Sequence, residues 1–402
     1  MASTLLHITD LKTKFGNPHQ VEIVSVTDRD AIYIALLNIW ITENFQSIEQ
    51  VVVRFKGAKI VAIYKDIFEK GTLWKCIYGL ENGSYWLGSD YSNLNSGAKL
   101  ALFKEDELIT SRIFDKGYST EITKIERSNN HSIIIKGNWY KCHRMGGHDD
   151  FYPESWHTKL SKEGEDFSDT ENPVLEQSYF SSSILDSNSG GFYILESHGV
   201  SKYSVEGKQL WNQGLGSFGL EKMMSLNKIV PYYRTQNNIT VNDGVWFLGI
   251  DYTYTERVVK SPLFGRVTAG GTLLSFSHIL NDFPEIYKIH AIVPGTVSNC
   301  LLIGETLRIG EGSGIFLLHV HFSRGVFITN IQYLNCNTSD LQLSISDNPS
   351  FQGCYLDIKG VYTQSGNLED LNEIIIFGNV DHHRNRDNGM VWSIKMDSSL
   401  NK

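Results

Sequence analysis

The sequence predicts an all-β fold, a seven-bladed β-propeller with four antiparallel strands per blade, whose ring is closed by an N-terminal strand completing the last blade. Three observations carry this expectation. A short apolar strand ending at or near glycine recurs along the 402 residues, each copy is followed by further strands separated by turn residues, and helical periodicity is nearly absent.

The glycine strands come first. AIYIALLN from Ala31 opens the series without the glycine, and SYWLG ends at Gly88, SIIIKG at Gly137, VWFLG at Gly249, CLLIG at Gly304 and IIIFG at Gly378. A looser copy, GGFYILESHG, lies near Gly199. The steps between the strict glycines are 49, 112, 55 and 74 residues, and 112 is twice 56, which leaves room for the looser copy. The period of roughly 50 residues lies in the range of solenoids and propellers.

Each glycine strand is followed, after a polar insert, by a second strand carrying a basic residue, as in VVVRFKGAK from Val51, GVSKYSVEGK from Gly199 and FLLHVHFSRG from Phe316. A third follows, as in IVAIYKDI, LITSRIF and TLLSFSHI, and another precedes each glycine strand, as in EIVSVTD, TEITKIERS, YFSSSILD, NITVN, YKIHAIV and LDIKGVYTQ. The repeating unit therefore has four strands. The predicted blades are 22–70, 71–117, 118–175, 176–222, 223–283, 284–344 and 345–402, one domain over 1–402, with an N-terminal strand at 3–16 supplying the strand the seventh blade lacks. Sharing one blade between the termini removes the open edge of a linear array.

The stretch GGFYILES…VSKYSVEGKQLWNQ, from Gly190 to Gln213, resembles the repeats of bacterial propellers of the pyrroloquinoline-quinone type, read as glycine strand, polar loop, lysine strand and "EGxxLW" turn. The fourth and seventh units match most closely. That resemblance implies a fold shared by enzymes, adhesins, lectins and binding scaffolds, so function has to be argued from sites.

Bulk chemistry removes several classes. A net charge of −9 without a Lys/Arg-dense face argues against nucleic acid, whose binders need clustered cations to displace counterions. No window approaches the ~18 apolar residues of a membrane span, and MASTLLHITDLKTKF lacks the basic and apolar regions of a secretory signal. The five cysteines never stand at CxxC spacing, so neither a disulfide framework nor a structural zinc is indicated. The expectation is a cytoplasmic monomer without cofactor, and the Lys, Asn and Ile content suits a low-GC bacterial genome.

Antiparallel order puts the strand-two-to-three inserts on one face, where variable polar loops gather binding residues. The third insert offers His143, Arg144, His148, Asp149 and Asp150; the fifth offers Tyr252, Tyr254 and Arg257; the seventh, GNVDHHRNRDNG, offers His382, His383, Arg384, Arg386 and Asp387. Imidazole and carboxylate are metal-ligand types, but blades three and seven stand nearly opposite and adjacent histidines on an extended chain point apart, so no metal is assigned. Tyrosine and arginine at exposed tips anchor interfaces and sugar rings, although Tyr and Thr also simply continue a hairpin. His319 and His321 read as packing residues, His290 as a lone histidine on an innermost strand, and no catalytic residue is identified.

The irregular inserts lead to a non-enzymatic binding scaffold for a protein partner, an inhibitor or adaptor. Two alternatives stand beside it: a lyase or hydrolase using His, Arg and Asp from the third and seventh inserts, and a lectin using Trp139, Tyr140, Tyr252 and Tyr254.

Overall fold

The computed structural model describes residues 3–29, 31–42, 48–65, 72–80, 82–90, 97–114, 119–127, 133–145, 148–160, 182–185, 191–196, 199–204, 206, 208–214, 224–236, 239–254, 258–278, 283, 285–295, 299–308, 312–322, 326–335, 344–346, 354–364, 368–382 and 388–396. Strand β1 (Ser3–Asp10) runs into a helical turn, α1 (Leu11–Lys14). The strand predicted over 3–16 therefore stops at Asp10, because the Asp10 carboxylate accepts from Lys12 N (2.9 Å) and Thr13 Oγ1 (2.8 Å) and caps a turn.

The strands that follow among the described residues are taken in seven consecutive groups, here called units, two of which share one sheet. Unit 1 holds β2 (Gln20–Arg29), β3 (Ile32–Trp40), β4 (Ile48–Lys56) and β5 (Lys59–Tyr64). Unit 2 holds β6 (Trp74–Gly79), β7 (Ser84–Ser89), β8 (Ala98–Lys104) and β9 (Glu107–Phe114). Unit 3 holds β10 (Ser119–Arg127), β11 (Ile133–Met145) and β12 (His148–Leu160). Unit 4 holds β13 (Ser182–Leu185), β14 (Phe192–Glu196), β15 (Gly199–Tyr203) and β16 (Gln209–Gly214). Unit 5 holds β17 (Met224–Gln236), β18 (Ile239–Tyr254), β19 (Val258–Thr268) and β20 (Leu273–His278). Unit 6 holds β21 (Ile286–Pro294), β22 (Asn299–Arg308), β23 (Gly312–Phe322), β24 (Val326–Asn335) and a short fifth strand, β25 (Ser344–Ser346). Unit 7 holds β26 (Cys354–Thr363), β27 (Glu373–His382) and β28 (Asn388–Met396).

Every unit is an antiparallel meander, and β1 pairs antiparallel with β28, from Ser3↔Met396 to Asp10↔Met390. A single parallel pair, Val21↔Asn388, joins units 7 and 1 into one mixed eight-stranded sheet. Two strand assignments shift. NITVN is not a separate strand but the start of β18, the first strand of unit 5 being MSLNKIVPYYRTQ; and unit 2 opens on Trp74–Gly79, which the glycine pattern had left without a first strand.

Burial explains why the second strands read as unbroken apolar runs. Both faces of β3 are covered, since side chains alternate across a strand. Tyr33, Ala35 and Leu37 pack with Phe377 and Val391 of unit 7, whereas Ile34 and Leu36 pack with Leu87 and Phe103 of unit 2. Unit 6 repeats the arrangement, with Leu301 and Ile303 against unit 7 and Cys300 and Leu302 against unit 5. Apolar clusters also join units 2 and 3 and units 4 and 5. The fourth strands β5, β9 and β16 alternate between exposed and half-covered positions along most of their length, so each meander runs from an enclosed strand to a solvent edge.

The recurrent glycine has a mechanical cause. In units 3, 5, 6 and 7 the first-strand residue paired with it (Ile122, Leu226, Ile289 and Ile358) is followed at once by a register shift, and in unit 2 the shift directly precedes Cys76, the partner of Gly88. Such a bulge pushes the first strand toward its neighbour. A Cβ at Gly304 would collide with the Lys288 carbonyl oxygen and lie 2.7 Å from the Phe316 ring, and one at Gly137 would meet the Glu121 carbonyl and Trp156.

Candidate functional site

Parts of the third and fifth inserts are ladders where loops had been expected. In unit 3 the pairs His143↔Asp150, Arg144↔Asp149 and Met145↔His148 continue the antiparallel pairing of β11 and β12. In unit 5 Tyr252 pairs with Lys260 and Tyr254 with Val258, on the hairpin of β18 and β19. His382 ends β27 opposite Cys354. Arg257, His383, Arg384, Arg386 and Asp387 lie outside the described residues. The three inserts belong to three different units, and no described strand pairing brings them together. Trp246 is buried among the core residues of units 5 and 6.

A polar set that the sequence reading passed over lies at the insert-side ends of the first two strands. The residue after the glycine is Asn138, Glu305 and Asn379 in units 3, 6 and 7, and Asn38 holds the equivalent place in unit 1. Its partner on the first strand is a carboxylate in three units: Glu22↔Asn38, Glu121↔Asn138 and Asp357↔Asn379. Glu121 Oε1 accepts from Asn138 Nδ2 and from the Tyr140 hydroxyl, both at 2.8 Å. Glu22 Oε2 accepts from Asn38 Nδ2 (3.0 Å), whose Oδ1 accepts from Gln50 Nε2 (2.7 Å).

Some of these groups also join neighbouring units. Asn379 takes the Ile23 N–H on Oδ1 (2.7 Å) and gives Nδ2 to the Ile23 carbonyl (3.0 Å), standing in for a missing strand. Gln50 does the same for Trp74, at 2.8 and 2.9 Å. Glu305 Oε1 accepts from Ile358 N (2.7 Å) and lies 2.9 Å from His290 Nε2, so His290 is partnered. Buried backbone groups that no ladder satisfies need such partners.

The first strands also carry charge. Lys75 pairs with Asp90 (3.3 Å), Lys359 with Asp357 (2.6 Å), and Glu126 with Lys124 and Lys136. Burial pushes the Glu126 carboxyl up, but the two ammonium groups outweigh it and hold it below the usual range. Lys228 Nζ donates to the His290 carbonyl (3.0 Å), and its pKa is pulled down by burial first and then by Lys124, against a smaller opposing effect of Asp28. Lys228, Lys124 and Asp28 stand on the first strands of units 5, 3 and 1.

His319 is buried within unit 6, and burial lowers its pKa to about 4. Cys76 and Cys300 are buried, unpaired thiols pushed up by burial, which makes them poor nucleophiles. Among the described residues no group of three or more His, Cys, Asp or Glu side chains is placed to hold a metal ion. No described helix is long and apolar enough to cross a membrane.

No family model and no curated protein matches the chain. Solved structures do. A polysaccharide lyase of the PL25 ulvan lyase family, bound to -[GlcA(1-4)Rha3S]-, matches over 93% of this chain and 92% of its own at 8% identity and a TM-score of 0.50. A subtype N11 neuraminidase-like protein of A/flat-faced bat/Peru/033/2010 (H18N11) covers 95% of this chain and 90% of its own at 10% identity and a TM-score of 0.37. A Bacteroides caccae protein covers 78% of this chain and 97% of its own at 10% identity and a TM-score of 0.35. The lyase likeness, together with the small antiparallel sheets, defines a propeller-like all-β fold. The quinone-type repeat stays a sequence resemblance.

Proposed function

We propose that the chain is a seven-bladed propeller, closed by β1 on β28, that binds an extended carbohydrate at the insert-side mouth of its ring. The carrying observation is the Glu121, Asn138 and Tyr140 cluster. A carboxylate already holding an amide and a phenol presents fixed donors and acceptors at the base of a long hairpin, the arrangement that recognises sugar hydroxyls at little entropic cost. The same carboxylate-to-asparagine hydrogen bond, Glu22 with Asn38 in unit 1, supplies a second such group for a chain of hydroxylated rings. The fold shared with a polysaccharide lyase agrees with this reading.

The test is a glycan array with the wild-type protein, followed by incubation of any bound polysaccharide and assay for unsaturated products and new reducing ends. Binding lost in Glu121→Gln and Tyr140→Phe, with the fold intact by circular dichroism, is the expected result. Product formation would make the protein an enzyme; binding without product would make it a lectin. Absence of glycan binding above background would overturn the reading.

A protein partner is the second reading, favoured by the β11–β12 hairpin, whose 13-residue strands far exceed the 6 or 7 residues of β7 and β8. A stoichiometric partner recovered from lysate and lost on shortening that hairpin would establish it.

A further inference from the structure

The seam between units 7 and 1 holds an open-sided cavity of about 680 Å³ at the ends of the strands opposite the inserts. Its walls come from three distant parts of the chain: His7 on β1, Tyr33 and the Lys56 to Lys59 turn with Val61 in unit 1, and Glu373 in unit 7. The volume falls within the ~300–1,000 Å³ typical of small-molecule sites. The wall on β1 is fixed. Thr9 Oγ1 donates to the Ala58 carbonyl (2.6 Å), so at its 3.2 Å contact His7 Nε2 must be the donor.

The polar groups divide by sign. Lys56 and Lys59 flank the turn, and neither ammonium has an ion-pair or hydrogen-bond partner among the described residues. Glu373 faces the same turn, 3.9 Å from where a Cβ on Gly57 would stand, with its carboxylate positioned by Ser393 Oγ and Gln364 Nε2 (3.2 Å). Tyr33 is 3% exposed, its ring held by Tyr362 and Phe377 at 5.2 and 5.6 Å, yet its hydroxyl has no protein partner among the described residues. Glu373 stands on one side of the cavity and the two lysines of the turn on the other. Ala31, Ala58 and Val61 supply apolar wall between them.

We propose that this cavity binds a small zwitterion, a free amino acid with an apolar side chain, its carboxylate toward Lys56 and Lys59 and its ammonium toward Glu373 and the Tyr33 hydroxyl. A pure anion would leave Glu373 facing like charge, and a pure cation would leave the two lysines uncompensated. The site is separate from the insert-side mouth, so it stands or falls independently of the carbohydrate reading.

The experiment is titration of the full chain with three probes, L-phenylalanine, phenylacetate and phenethylamine, followed by NMR or calorimetry. L-Phenylalanine should bind saturably and more tightly than either single-charge probe. K56E/K59E, at two exposed positions, should weaken it about tenfold or more, as loss of charge-assisted hydrogen bonds does. Tyr33→Phe, which keeps the ring packing, should weaken it severalfold. No saturable L-phenylalanine binding, equal binding of phenylacetate or phenethylamine, or unchanged binding in a folded K56E/K59E variant would each overturn the proposal.

Discussion

Adding one methyl group at two equivalent glycines should have unequal consequences. At Gly304 the new Cβ would collide with the Lys288 carbonyl, a backbone atom fixed by the adjacent bulge, and meet Phe316 at 2.7 Å. At Gly378 the nearest atoms stand at 3.1 Å (Asp357 O) and 3.2 Å (Trp392), a gap that shifts of a few tenths of an ångström relieve. Overpacking costs about 1–3 kcal/mol where neighbours can give and more where backbone must move, so Gly304→Ala should cost about 3 kcal/mol or more and Gly378→Ala about 1 kcal/mol. With an unfolding entropy of about 2.1 cal/mol/K per residue, 402 residues give roughly 0.84 kcal/mol/K, so these costs correspond to Tm losses of about 3.5 °C and about 1 °C. Calorimetric melts of the two variants beside wild type provide the assay. Equal Tm values for the two, or a greater loss at Gly378, would refute the assignment of the repeat glycine to close approach at the bulge.

Three further outcomes follow from the same structure. Asn379→Ala leaves the buried Ile23 N–H and C=O without partners and should cost about 2–4 kcal/mol in denaturant melts, with faster hydrogen exchange at the Ile23 amide; unchanged exchange would show that the side chain is not a staple. Lys228→Met should leave the protein as stable as wild type or more so at neutral pH, because it removes a poorly solvated charge. Since the folded pKa of Lys228 is lowered, wild-type stability should climb as pH rises toward the unfolded lysine range, a slope that the Met variant lacks. His319, lowered from 6.5 to about 4 by burial, stays neutral in the fold while the unfolded chain takes up its proton first. Stability should therefore fall as pH drops from 6.5 toward 4, by up to about 3 kcal/mol, and His319→Gln should flatten that limb in pH-dependent urea melts.

The strand pattern was legible because the glycine and the bulge are one local device that recurs in units 2, 3, 5, 6 and 7. Where local chemistry points two ways, the reading slipped. Asn242-Asp243-Gly244 is a strong turn signal, yet Gly244 adopts φ +120° inside β18, and Asn242 Oδ1 accepts from Gly244 N (3.0 Å), so the signal was absorbed as a bend within a strand and NITVN was cut off from it. The third insert is the opposite case: a segment whose polarity suggested a loop continues the strand pairing as far as Met145↔His148. The site was much less legible. Lys228, in MSLNKIVPYY, looks like an ordinary strand lysine, and only the fold places its ammonium against the His290 carbonyl of unit 6. One signal did stand in the sequence: the residue after the glycine is asparagine or glutamate in three units, where a purely structural strand would continue apolar.

In units 3, 6 and 7, where the glycine stands opposite a bulge, the next residue arrives at the insert-side end of the second strand, beside the first strand of its own unit. In units 6 and 7 the side chain is committed to the neighbour: Glu305 holds Ile358 and Asn379 holds Ile23. In unit 1 Gln50 makes that link instead, to Trp74, and Asn38 donates to Glu22; in unit 3 Asn138 donates to Glu121. Under the carbohydrate reading, Asn38→Ala should weaken glycan binding more than it lowers stability, whereas Glu305→Ala and Asn379→Ala should cost stability first, and paired melting and glycan-binding measurements on the three variants separate the two behaviours. Equal destabilisation across all three, with glycan binding unchanged in Asn38→Ala, would mean that the mouth takes its chemistry from elsewhere.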